Sequence, residues 1–361
     1  MSVLFEINSS IKSYQVEILS SMDLRGLDSV KNTYALIDQD VLALYPTLKS
    51  LKSIEIHATE QAKTLETVGF VIESLRTLGA CRDCHLIAIG GGVIQDIATF
   101  AASTYMRGIS WIYYPTTLLG MVDSCIGGKS SINVGQYKNI AGNFFPPEKI
   151  FINTEFCKTL PQDEIIAGLC EAVKICFSDT GGAFNQYLSM TDKSGLIHPE
   201  TLPNIIELSL RTKKKFIEED EFDQTVRTLL NYGHTFGHAM EASSHFSINH
   251  GVAVGLGMLI AIDVSEKISP VAVRSARVQT LFNYLSLLLT HVSSLTDNLA
   301  KLSSEEAFRK FKSDKKHGLG DYAIIIPDDH GYLYKKLIPI NDYSDALIKS
   351  GFDSIKVLYE V

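Results

Sequence analysis

The sequence predicts a two-domain protein with an α/β first domain and a mainly α-helical second domain. At 361 residues the chain exceeds the size at which a single hydrophobic core usually stops growing. Short apolar runs alternate with helical patterns in the first half, whereas long amphipathic patterns dominate from residue 162 to about residue 302. Proline disfavours helical structure in the residue before it, so the step Leu160-Pro161 predicts domains at 1–160 and 161–361.

The first domain is predicted to contain a mostly parallel sheet covered by helices on both faces. Alternating or continuous apolar runs predict strands at residues 12–20, 33–38, 53–57, 85–90 and 110–115. Apolar residues at helical spacing predict helices at 41–51, 63–78 and 94–105. This alternation is typical of parallel strands, because each crossover between them needs a long connection. Near the end of the chain, the pattern predicts a strand at 322–327 and a helix at about 342–349.

Composition and charge exclude several classes of partner. The net charge of −8 and the pI near 5.7 provide no basic excess, so we expect neither a nucleic acid nor a membrane as partner. The N-terminus lacks a signal-peptide pattern and no run of about eighteen apolar residues occurs, which predicts a cytoplasmic protein. Six scattered cysteines indicate reduced thiols, and the Cys81–Cys84 pair has no second pair with which to form a zinc site.

Residues 116–139 have the composition of a ligand site. Gly127 and Gly128 allow the backbone to approach a ligand closely, because glycine has no side chain. A carboxylate, two lysines and an asparagine of the same stretch could offer charge of both signs to one ligand: Asp123, Lys129, Lys138 and Asn139. A solvated loop of mixed charge would have a similar composition. Two further regions of the sequence, however, indicate the same kind of small anionic ligand.

The first of these regions is a glycine-rich turn, Gly90-Gly91-Gly92, between a predicted strand and a predicted helix. Backbone N–H groups and the positive end of the helix dipole can hold a phosphate there. The turn lacks the G-x-G-x-x-G spacing of the common dinucleotide fingerprint, so by itself it is a moderate signal for a pyrophosphate-binding turn. Asp96 falls in the first helical turn, where a carboxylate can serve either a ligand or the helix itself.

The second region contains candidate metal ligands. His234 and His238 are four residues apart on one predicted helical face, and His250 opens a further predicted helix. Glu171 could supply an oxygen to the same site, and one of the four residues could instead act as an acid or base. Three histidines within seventeen positions favour a divalent-metal site over isolated core or surface histidines.

Two cations accompany the candidate metal ligands. Lys174 lies three residues after Glu171 and would share its helical face. Arg227 lies seven residues before His234 and would share the histidine face if that helix begins early enough. A guanidinium at that position suits a carboxylate or a phosphate.

Together these motifs resemble the sugar-phosphate cyclases, and most closely the 3-dehydroquinate synthase family of the shikimate pathway. The resemblance extends from about residue 30 to about residue 340. Its motifs are Gly90-Gly91-Gly92-Val93-Ile94-x-Asp96, Tyr105-Met106-Arg107-Gly108, Pro115-Thr116-Thr117-Leu118-Leu119, Val122-Asp123-Ser124, Gly127-Gly128-Lys129, Lys138-Asn139, Glu171-x-x-Lys174 and Asn231-x-Gly233-His234-Thr235-Phe236-Gly237-His238. The resemblance implies an N-terminal NAD-binding α/β domain, a helical C-terminal domain, an active site between them, and a homodimer.

The resemblance also implies residue roles. The zinc ligands would be Glu171, His234 and His250, with Co²⁺ as a possible substitute, which leaves His238 for acid and base catalysis. The NAD contacts would be Asp38, Glu60, Lys63, Gly91, Gly92, Asp96, Thr116, Thr117, Lys138 and Thr159. The substrate contacts would be Asp123, Lys129, Asn139, Lys174, Lys213, Arg227, Asn231 and Lys315, with Arg107 from the partner subunit. Lys174 and Asp123 also count among the candidate catalytic residues.

The implied reaction converts 3-deoxy-D-arabino-heptulosonate 7-phosphate into 3-dehydroquinate and phosphate. NAD⁺ takes a hydride from C5 of the metal-chelated substrate, phosphate leaves by elimination, the hydride returns, and an intramolecular aldol step closes the ring. Within this scheme, zinc acts as a Lewis acid and NAD is regenerated in each turnover. Lys213 and Arg227 would hold the substrate carboxylate, while Lys129, Asn139, Arg107 and Lys315 would hold the phosphate.

Several positions depart from the family pattern. Gln95 replaces a common glycine, Asp223 stands where a glutamate acid or base is usual, and Ala167 replaces a polar contact. The residues at 130–131 and 134–137, between the two lysines of the loop, also differ. These changes affect the identity of the substrate more than the class of reaction. Because Lys213, Arg227 and Asn231 are retained, a substrate with a carboxylate is favoured.

Three alternatives remain at this point. One is a cyclase for another sugar phosphate, such as sedoheptulose 7-phosphate. Another is a metal- and NAD-dependent polyol dehydrogenase, but a neutral alcohol does not need the lysines of a phosphate site, and position 175 is isoleucine where a histidine ligand would be expected. The third is a protein that binds NAD or a sugar phosphate without catalysis, which the candidate metal ligands disfavour.

Overall fold

The computed structural model describes residues 3–19, 32–135, 137–269, 274–314, 317–318 and 320–361. The chain forms two compact units: Met1–Leu160 with Lys213–Phe222, and Pro161–Thr212 with Asp223–Val361. The Lys213–Phe222 segment therefore departs from the predicted division of the chain. Its side chains bond within the first unit, where Glu218 accepts hydrogen bonds from the backbone and side-chain nitrogens of Asn8.

A seven-stranded sheet forms the core of the first unit. The strands of this unit are β1 (Val3–Ile7), β2 (Tyr14–Ile18), β3 (Thr33–Asp38), β4 (Ser53–Ile56), β5 (His85–Gly90), β6 (Ser110–Pro115), β7 (Ile132–Val134), β8 (Tyr137–Ala141) and β9 (Lys149–Ile152). The sheet has the order β1-β2-β9-β6-β5-β3-β4 and is parallel except where β1 pairs with β2. Strands β7 and β8 form a separate antiparallel hairpin. The predicted mostly parallel sheet is confirmed, although the apolar pattern did not indicate β1, β9 or the hairpin.

Among the described residues, the α-helices that lie entirely in the first unit are α1 (Gln39–Leu44), α2 (Leu65–Thr77) and α3 (Gly92–Thr104). The predicted helix at 41–51 is wrong in its second half. Pro46 disfavours helical backbone in the residue before it, so α1 ends there and a short 3-10 helix, Pro46–Ser50, follows.

The second unit is mainly helical, as the sequence predicts. Its helices are α4 (Gln162–Ser178), α5 (Ala183–Leu188), α6 (Leu202–Glu219, which continues into the Lys213–Phe222 segment), α7 (His234–Ser243), α8 (His250–Ile268), α9 (Ala276–Leu289), α10 (Leu295–Lys301), α11 (Ser304–Lys312) and α12 (Asp342–Leu358). An antiparallel pair, β10 (Asp321–Pro327) and β11 (Leu333–Pro339), completes it. Helix α8 is apolar on all sides and buried along most of its length. Within the described part of the chain, no helix is both long and apolar enough to cross a bilayer.

Candidate active site

Four polar side chains from three helices of the second unit meet at one point. His234 is the first residue of α7, His238 follows one turn later, and His250 is the first residue of α8. One ring nitrogen from each of the three histidines lies within 4.8 Å of the others. Glu171 approaches them from α4, where it is only 1% exposed. The structure thus brings together all four residues that the sequence indicates as candidates for a metal site.

The Glu171 carboxylate gives this cluster an oxygen that suits a cation. Its Oε1 lies 3.8 Å from Nε2 of His234 and 3.4 Å from Nε2 of His250. This buried oxygen receives no hydrogen bond from the described part of the chain. An unsatisfied carboxylate oxygen is costly to bury, so its position opposite two imidazole nitrogens fits a bound cation. Imidazole nitrogens with one carboxylate oxygen form a donor set that zinc accepts in catalytic sites.

The second ring nitrogen of two of these histidines faces an acceptor. Nδ1 of His234 lies 3.4 Å from the carbonyl oxygen of Tyr232, and Nδ1 of His250 lies 3.3 Å from Oε2 of Glu241. Burial alone would lower the pKa of His250. Its close contacts with the Glu171 and Glu241 carboxylates, together with their negative charges, outweigh burial and raise the pKa of His250 to about 9.

Close backbone packing holds the three helices of the cluster together. A β-carbon on Gly257 of α8 would lie 2.1 Å from the carbonyl oxygen of Gly233 and 2.8 Å from the nitrogen of Gly237 in α7. A β-carbon on Gly251 would lie 2.2 Å from the carbonyl oxygen of Ala167 in α4. Because glycine has no β-carbon, α8 can approach both neighbouring helices closely enough for the four polar side chains to meet.

Charged side chains border the cluster. Nζ of Lys174 forms a buried ion pair with Oε2 of Glu171, which confirms that the two residues share one face of α4. The lysine therefore neutralises one carboxylate oxygen while the other faces the imidazoles. Nδ1 of His238 lies 4.0 Å from Oδ2 of Asp314.

Arg227 does not lie on the helix that carries the histidines. It belongs to a separate 3-10 helix, Val226–Asn231, and its side chain is buried. Gly233 lies between the two helices and separates them, because its φ of 77° is in the left-handed region. Helix α7 therefore begins only at His234. The helix therefore does not begin early enough to include Arg227, and Arg227 does not share the helical face of the histidines.

Three other candidates belong to the second unit, and the structure describes two of them. Nδ2 of Asn231 donates to the carbonyl oxygen of Thr228 at 3.1 Å, which orients the amide. Asp223 has a φ of 60°, in a region that non-glycine residues adopt rarely. Lys315, which the resemblance implies as a phosphate contact, lies outside the described residues.

The carboxyl ends of β3 and β5 are the position in the first unit where an open parallel sheet would bind a ligand. From β3 the chain continues outward to β4 and then returns past β3 to β5, so the direction of strand addition changes between β3 and β5. Ligands of open parallel sheets bind outside the carboxyl ends of the strands at such a point. Asp38 ends β3 and Gly90 ends β5, and α3 starts directly afterwards at Gly92.

The turn between β5 and α3 fits a phosphate group of a dinucleotide. The N–H groups in the first turn of α3 have no acceptor within the helix, and they follow the N-cap residue Gly91. A β-carbon on Gly91 would lie 2.9 Å from Cγ2 of Thr117, whereas one on Gly92 would meet no atom within 4 Å. Gly92 thus leaves open space beside the helix N-terminus. The backbone nitrogen of Thr116 donates to the carbonyl oxygen of Gly90 at 3.0 Å and fixes the neighbouring strand end.

Lys63 is the centre of a polar network in the first unit. Its Nζ lies 2.7 Å from Oδ2 of Asp96, 2.8 Å from Oδ1 of Asn139 and 3.7 Å from Oε1 of Glu60. Lys138 reaches the same Oε1 at 3.7 Å. Four residues implied as NAD contacts therefore lie together, and Asn139, implied as a substrate contact, joins them.

Two carboxyl groups of the first unit, Asp96 in this network and Asp38 at the end of β3, have raised pKa values. Burial raises the pKa of Asp96 above its usual range, although the Lys63 ammonium opposes the effect. Asp96 also accepts hydrogen bonds from the backbone nitrogen of Ser131 at 2.9 Å and from its hydroxyl at 3.1 Å. Burial likewise raises the pKa of Asp38, against backbone hydrogen bonds from Asp40 and Ala58. Ser131, a departure from the family pattern, is thus part of the network.

Asp123 and Lys213 form a second polar group in the first unit. Asp123 lies in a π-helix, Gly120–Ser124, a rare conformation that is frequent at functional sites. Its carboxylate pairs with Nζ of Lys213, which also donates to the Asp123 carbonyl oxygen at 2.6 Å. The neighbouring Ser124 is held by Gln95, whose amide donates to its carbonyl oxygen and accepts from its hydroxyl, both at 2.7 Å.

Three remaining candidates of the first unit lie on its loops and helix ends. Arg107 is exposed and has a φ of 67°, so its backbone is held in the left-handed region. Nζ of Lys129 lies 5.9 Å from the ring centroid of Phe144. Oγ1 of Thr159, at the end of a 3-10 helix, lies 3.3 Å from the hydroxyl of Tyr45.

Reasoning from the sequence missed Glu241, which contacts His250. Glu241 follows His238 by three residues and His234 by seven, so it lies on the same face of α7. That spacing was the available signal. It is easily overlooked, because a glutamate on an amphipathic helix is usually solvated.

Comparisons with known proteins cover most of the chain. Residues 53–167 match the 3-dehydroquinate synthase N-terminal family model, and residues 168–317 match the C-terminal one. A 3-dehydroquinate synthase from Streptococcus pyogenes serotype M18 is 33% identical over 344 residues, which are 90% of this chain and 93% of the relative.

Solved structures of other cyclases share the fold. A complex of 2-deoxy-scyllo-inosose synthase with carbaglucose-6-phosphate, NAD⁺ and Co²⁺ has a TM-score of 0.82 at 24% identity, covering 98% of this chain and 99% of that chain. A 2-epi-5-epi-valiolone synthase from Streptomyces hygroscopicus, with NAD⁺ and Zn²⁺ bound, has a TM-score of 0.76 at 23% identity and covers 97% and 99% of the two chains. At these identities the likeness concerns the fold alone.

Proposed function

The chain belongs to the 3-dehydroquinate synthase family of phosphate-eliminating carbon–oxygen lyases, which use NAD and a divalent metal, and we propose that its substrate is 3-deoxy-D-arabino-heptulosonate 7-phosphate. The products would be 3-dehydroquinate and phosphate. The observation that carries this proposal is the 33% identity to a 3-dehydroquinate synthase over nine tenths of the chain. The assembled cluster of Glu171 and the three histidines supports it, because this reaction needs a Lewis acid.

In the second unit, Glu171, His234 and His250 would hold the metal. His238 is then the candidate acid and base, with Oδ2 of Asp314 4.0 Å from its Nδ1. Lys174 lies against Glu171 and would offer its ammonium to a substrate oxygen.

In the first unit, the open turn at Gly91 and Gly92 would hold the NAD pyrophosphate, and the Lys63 network would line the site. Asp38, at the carboxyl end of β3, would accept hydrogen bonds from a ribose. When bound, NAD would accept and return a hydride and the metal would polarise a substrate hydroxyl, so that the substrate undergoes no net oxidation.

Arg227 would bind the substrate carboxylate. Its guanidinium suits a planar carboxylate, and its burial strengthens such a bond because water is excluded. We expect Arg227→Ala to lower kcat/KM for the heptulosonate by about 10²-fold or more, corresponding to the roughly 3 kcal/mol of a charged hydrogen bond. Lys129→Ala, at an exposed candidate phosphate contact, is the matched variant. It should weaken the binding of any phosphorylated substrate. Unchanged turnover in Arg227→Ala would contradict a role in carboxylate binding.

A cyclase for another sugar phosphate is the second candidate. The departures from the family pattern favour it, because the Gln95 side chain, which a glycine would lack, donates to the Ser124 carbonyl oxygen, and the Ser131 hydroxyl donates to Asp96. Sedoheptulose 7-phosphate represents this alternative. It carries a phosphate but no carboxylate, so it does not need Arg227.

Phosphate release by the purified chain, loaded with zinc and catalytic NAD⁺, distinguishes the candidates. We expect one phosphate and one 3-dehydroquinate per heptulosonate, identified by NMR, without accumulation of NADH. Release from sedoheptulose 7-phosphate instead would move the chain to the alternative. NADH accumulating with a simple polyol would contradict cyclase activity altogether.

The homodimer with Arg107 of one subunit completing the other's site stays a prediction. The exposure of Arg107 and its constrained backbone are compatible with a contact to another chain. Sedimentation of the wild-type chain and Arg107→Ala would measure the assembly.

A further inference from the structure

We propose that Glu241 is a positioning residue that orients His250 for metal binding, an inference that depends on the proposed metal site. Oε2 of Glu241 lies 3.3 Å from Nδ1 of His250, while Nε2 on the opposite edge of the ring lies 3.4 Å from Oε1 of Glu171. The imidazole thus lies between two carboxylates. Glu171, which faces Nε2, is a candidate metal ligand. Glu241 faces Nδ1 on the opposite edge of the ring and is therefore not a candidate ligand of the same metal.

The contact of Glu241 determines which ring nitrogen keeps its lone pair. When Nδ1–H donates to the Glu241 carboxylate, the neutral ring has its proton on Nδ1 and presents the lone pair of Nε2 to a metal. Metal-binding histidines commonly donate their other N–H to a carboxylate or a carbonyl, which fixes both the tautomer and the ring orientation.

His234 provides an internal comparison. Its Nδ1 lies 3.4 Å from the carbonyl oxygen of Tyr232, and its Nε2 also faces Oε1 of Glu171. Both histidines therefore present the same nitrogen to the same oxygen. The backbone supplies the acceptor for His234, whereas a side chain that can be substituted supplies it for His250.

The location of Glu241 supports a specific role. The residue is only 6% exposed, although a carboxylate on a helix is usually solvated. Its face of α7 is the one that carries His234 and His238, so a single helix presents two imidazoles and the carboxylate that orients the third. Burying this charge is costly unless it is paired, and the His250 ring is one of its partners.

The experiment measures zinc affinity of the full chain after removal of metal, by competition with a chromophoric chelator. We expect Glu241→Gln to weaken zinc binding about 10- to 100-fold, because the amide can donate to Nδ1 and favour the wrong tautomer. Glu241→Asp should recover part of the loss. The visible absorption spectrum of the Co²⁺-substituted protein should change in Glu241→Gln, which reports on the ligand field independently of activity.

Two further variants separate the possible outcomes. Asp345→Asn is the matched control, because it removes a carboxylate that accepts a hydrogen bond from Tyr322 in the same unit, and its zinc affinity should equal that of the wild type. Glu171→Gln tests the metal site itself. If Glu171→Gln weakens zinc binding but the folded Glu241→Gln variant binds zinc like the wild type, the role of Glu241 is wrong and the metal site stands. If Glu171→Gln has no effect, the metal site and the role of Glu241 both fail.

Discussion

The two units of the molecule assemble their candidate sites in opposite ways. In the first unit, the charges compensate one another: Lys63 pairs with Asp96, Lys138 approaches Glu60, and Lys213 pairs with Asp123. Most of these residues lie on loops, short 3-10 or π segments and the hairpin. In the second unit, the cluster lies on helices packed backbone to backbone, and an oxygen of Glu171 is oriented toward imidazoles that are candidate metal donors.

This difference reflects what each site would bind. A large dinucleotide or a flexible sugar phosphate can exchange ion pairs with the protein, so a preformed network of paired charges is a suitable surface for it. A metal ion needs its donors within a few tenths of an ångström, and helices that cannot shift provide that accuracy. Three experiments test this contrast, beginning with the largest expected effect.

Glu171→Gln should have the largest effect, because it removes a proposed metal donor and the carboxylate that pairs with the buried Lys174. Breaking a buried pair costs about 3–5 kcal/mol of unfolding free energy. We expect that loss in urea denaturation of the metal-free protein, together with loss of stabilisation by added zinc. Asp163→Asn on the same helix is the control, since its carboxylate accepts bonds from Ser293 near the surface. Zinc stabilisation that survives Glu171→Gln would contradict the assignment.

Gly257→Ala should destabilise the chain by about 3 kcal/mol, because the new β-carbon would overlap the backbone of α7. It should also weaken zinc binding, since α7 must move away from α8.

The contrasting variant is Gly69→Ala in α2, where a β-carbon would meet no atom within 4 Å. That change should stabilise the first unit by up to about 1 kcal/mol, because alanine favours helix more than glycine. Thermal unfolding with and without zinc measures both. Equal changes in thermal stability for Gly257→Ala and Gly69→Ala would contradict a special role for the close packing of α8 against α7.

Lys63→Met should cost about 2 kcal/mol at neutral pH, because the buried carboxylate of Asp96 loses its cation. The effect should depend on pH. Burial already raises the pKa of Asp96, and removal of the lysine raises it further, so the folded state retains a proton that the unfolded state loses above about pH 4. Stability therefore falls as pH rises through this window, and the cost relative to wild type should be smaller at pH 5 than at pH 8.

Lys138→Met is the control for Lys63→Met, because Lys138 also approaches Glu60 but is about a third exposed. Its ion pair is screened by water, so we expect a cost below about 1 kcal/mol. Urea denaturation of both variants at the two pH values provides the measurement. A pH-independent cost of Lys63→Met would show that Asp96 is not the group left unpaired.

Some features required the structure because they depend on contacts distant in sequence. The pairing of Lys213 with Asp123 joins residues ninety positions apart, and it places a segment of the predicted second domain in the first unit. The start of α7 at His234 depends on Gly233, whose left-handed backbone is held where a β-carbon would lie 2.6 Å from the carbonyl oxygen of Val254. Local patterns contain no information on such neighbours.

The sequence by itself determined the classes of structure and the residue types of the site. Period-2 and helical spacing indicated the parallel sheet and the helical unit, because these patterns follow from backbone geometry alone. The histidine spacing indicated a metal cluster for the same reason. Only the tertiary structure decided which partner each polar group has, such as Glu241 for His250 and Ser131 for Asp96. Those partners are decided by how closely helices and loops pack, and packing depends on the whole fold.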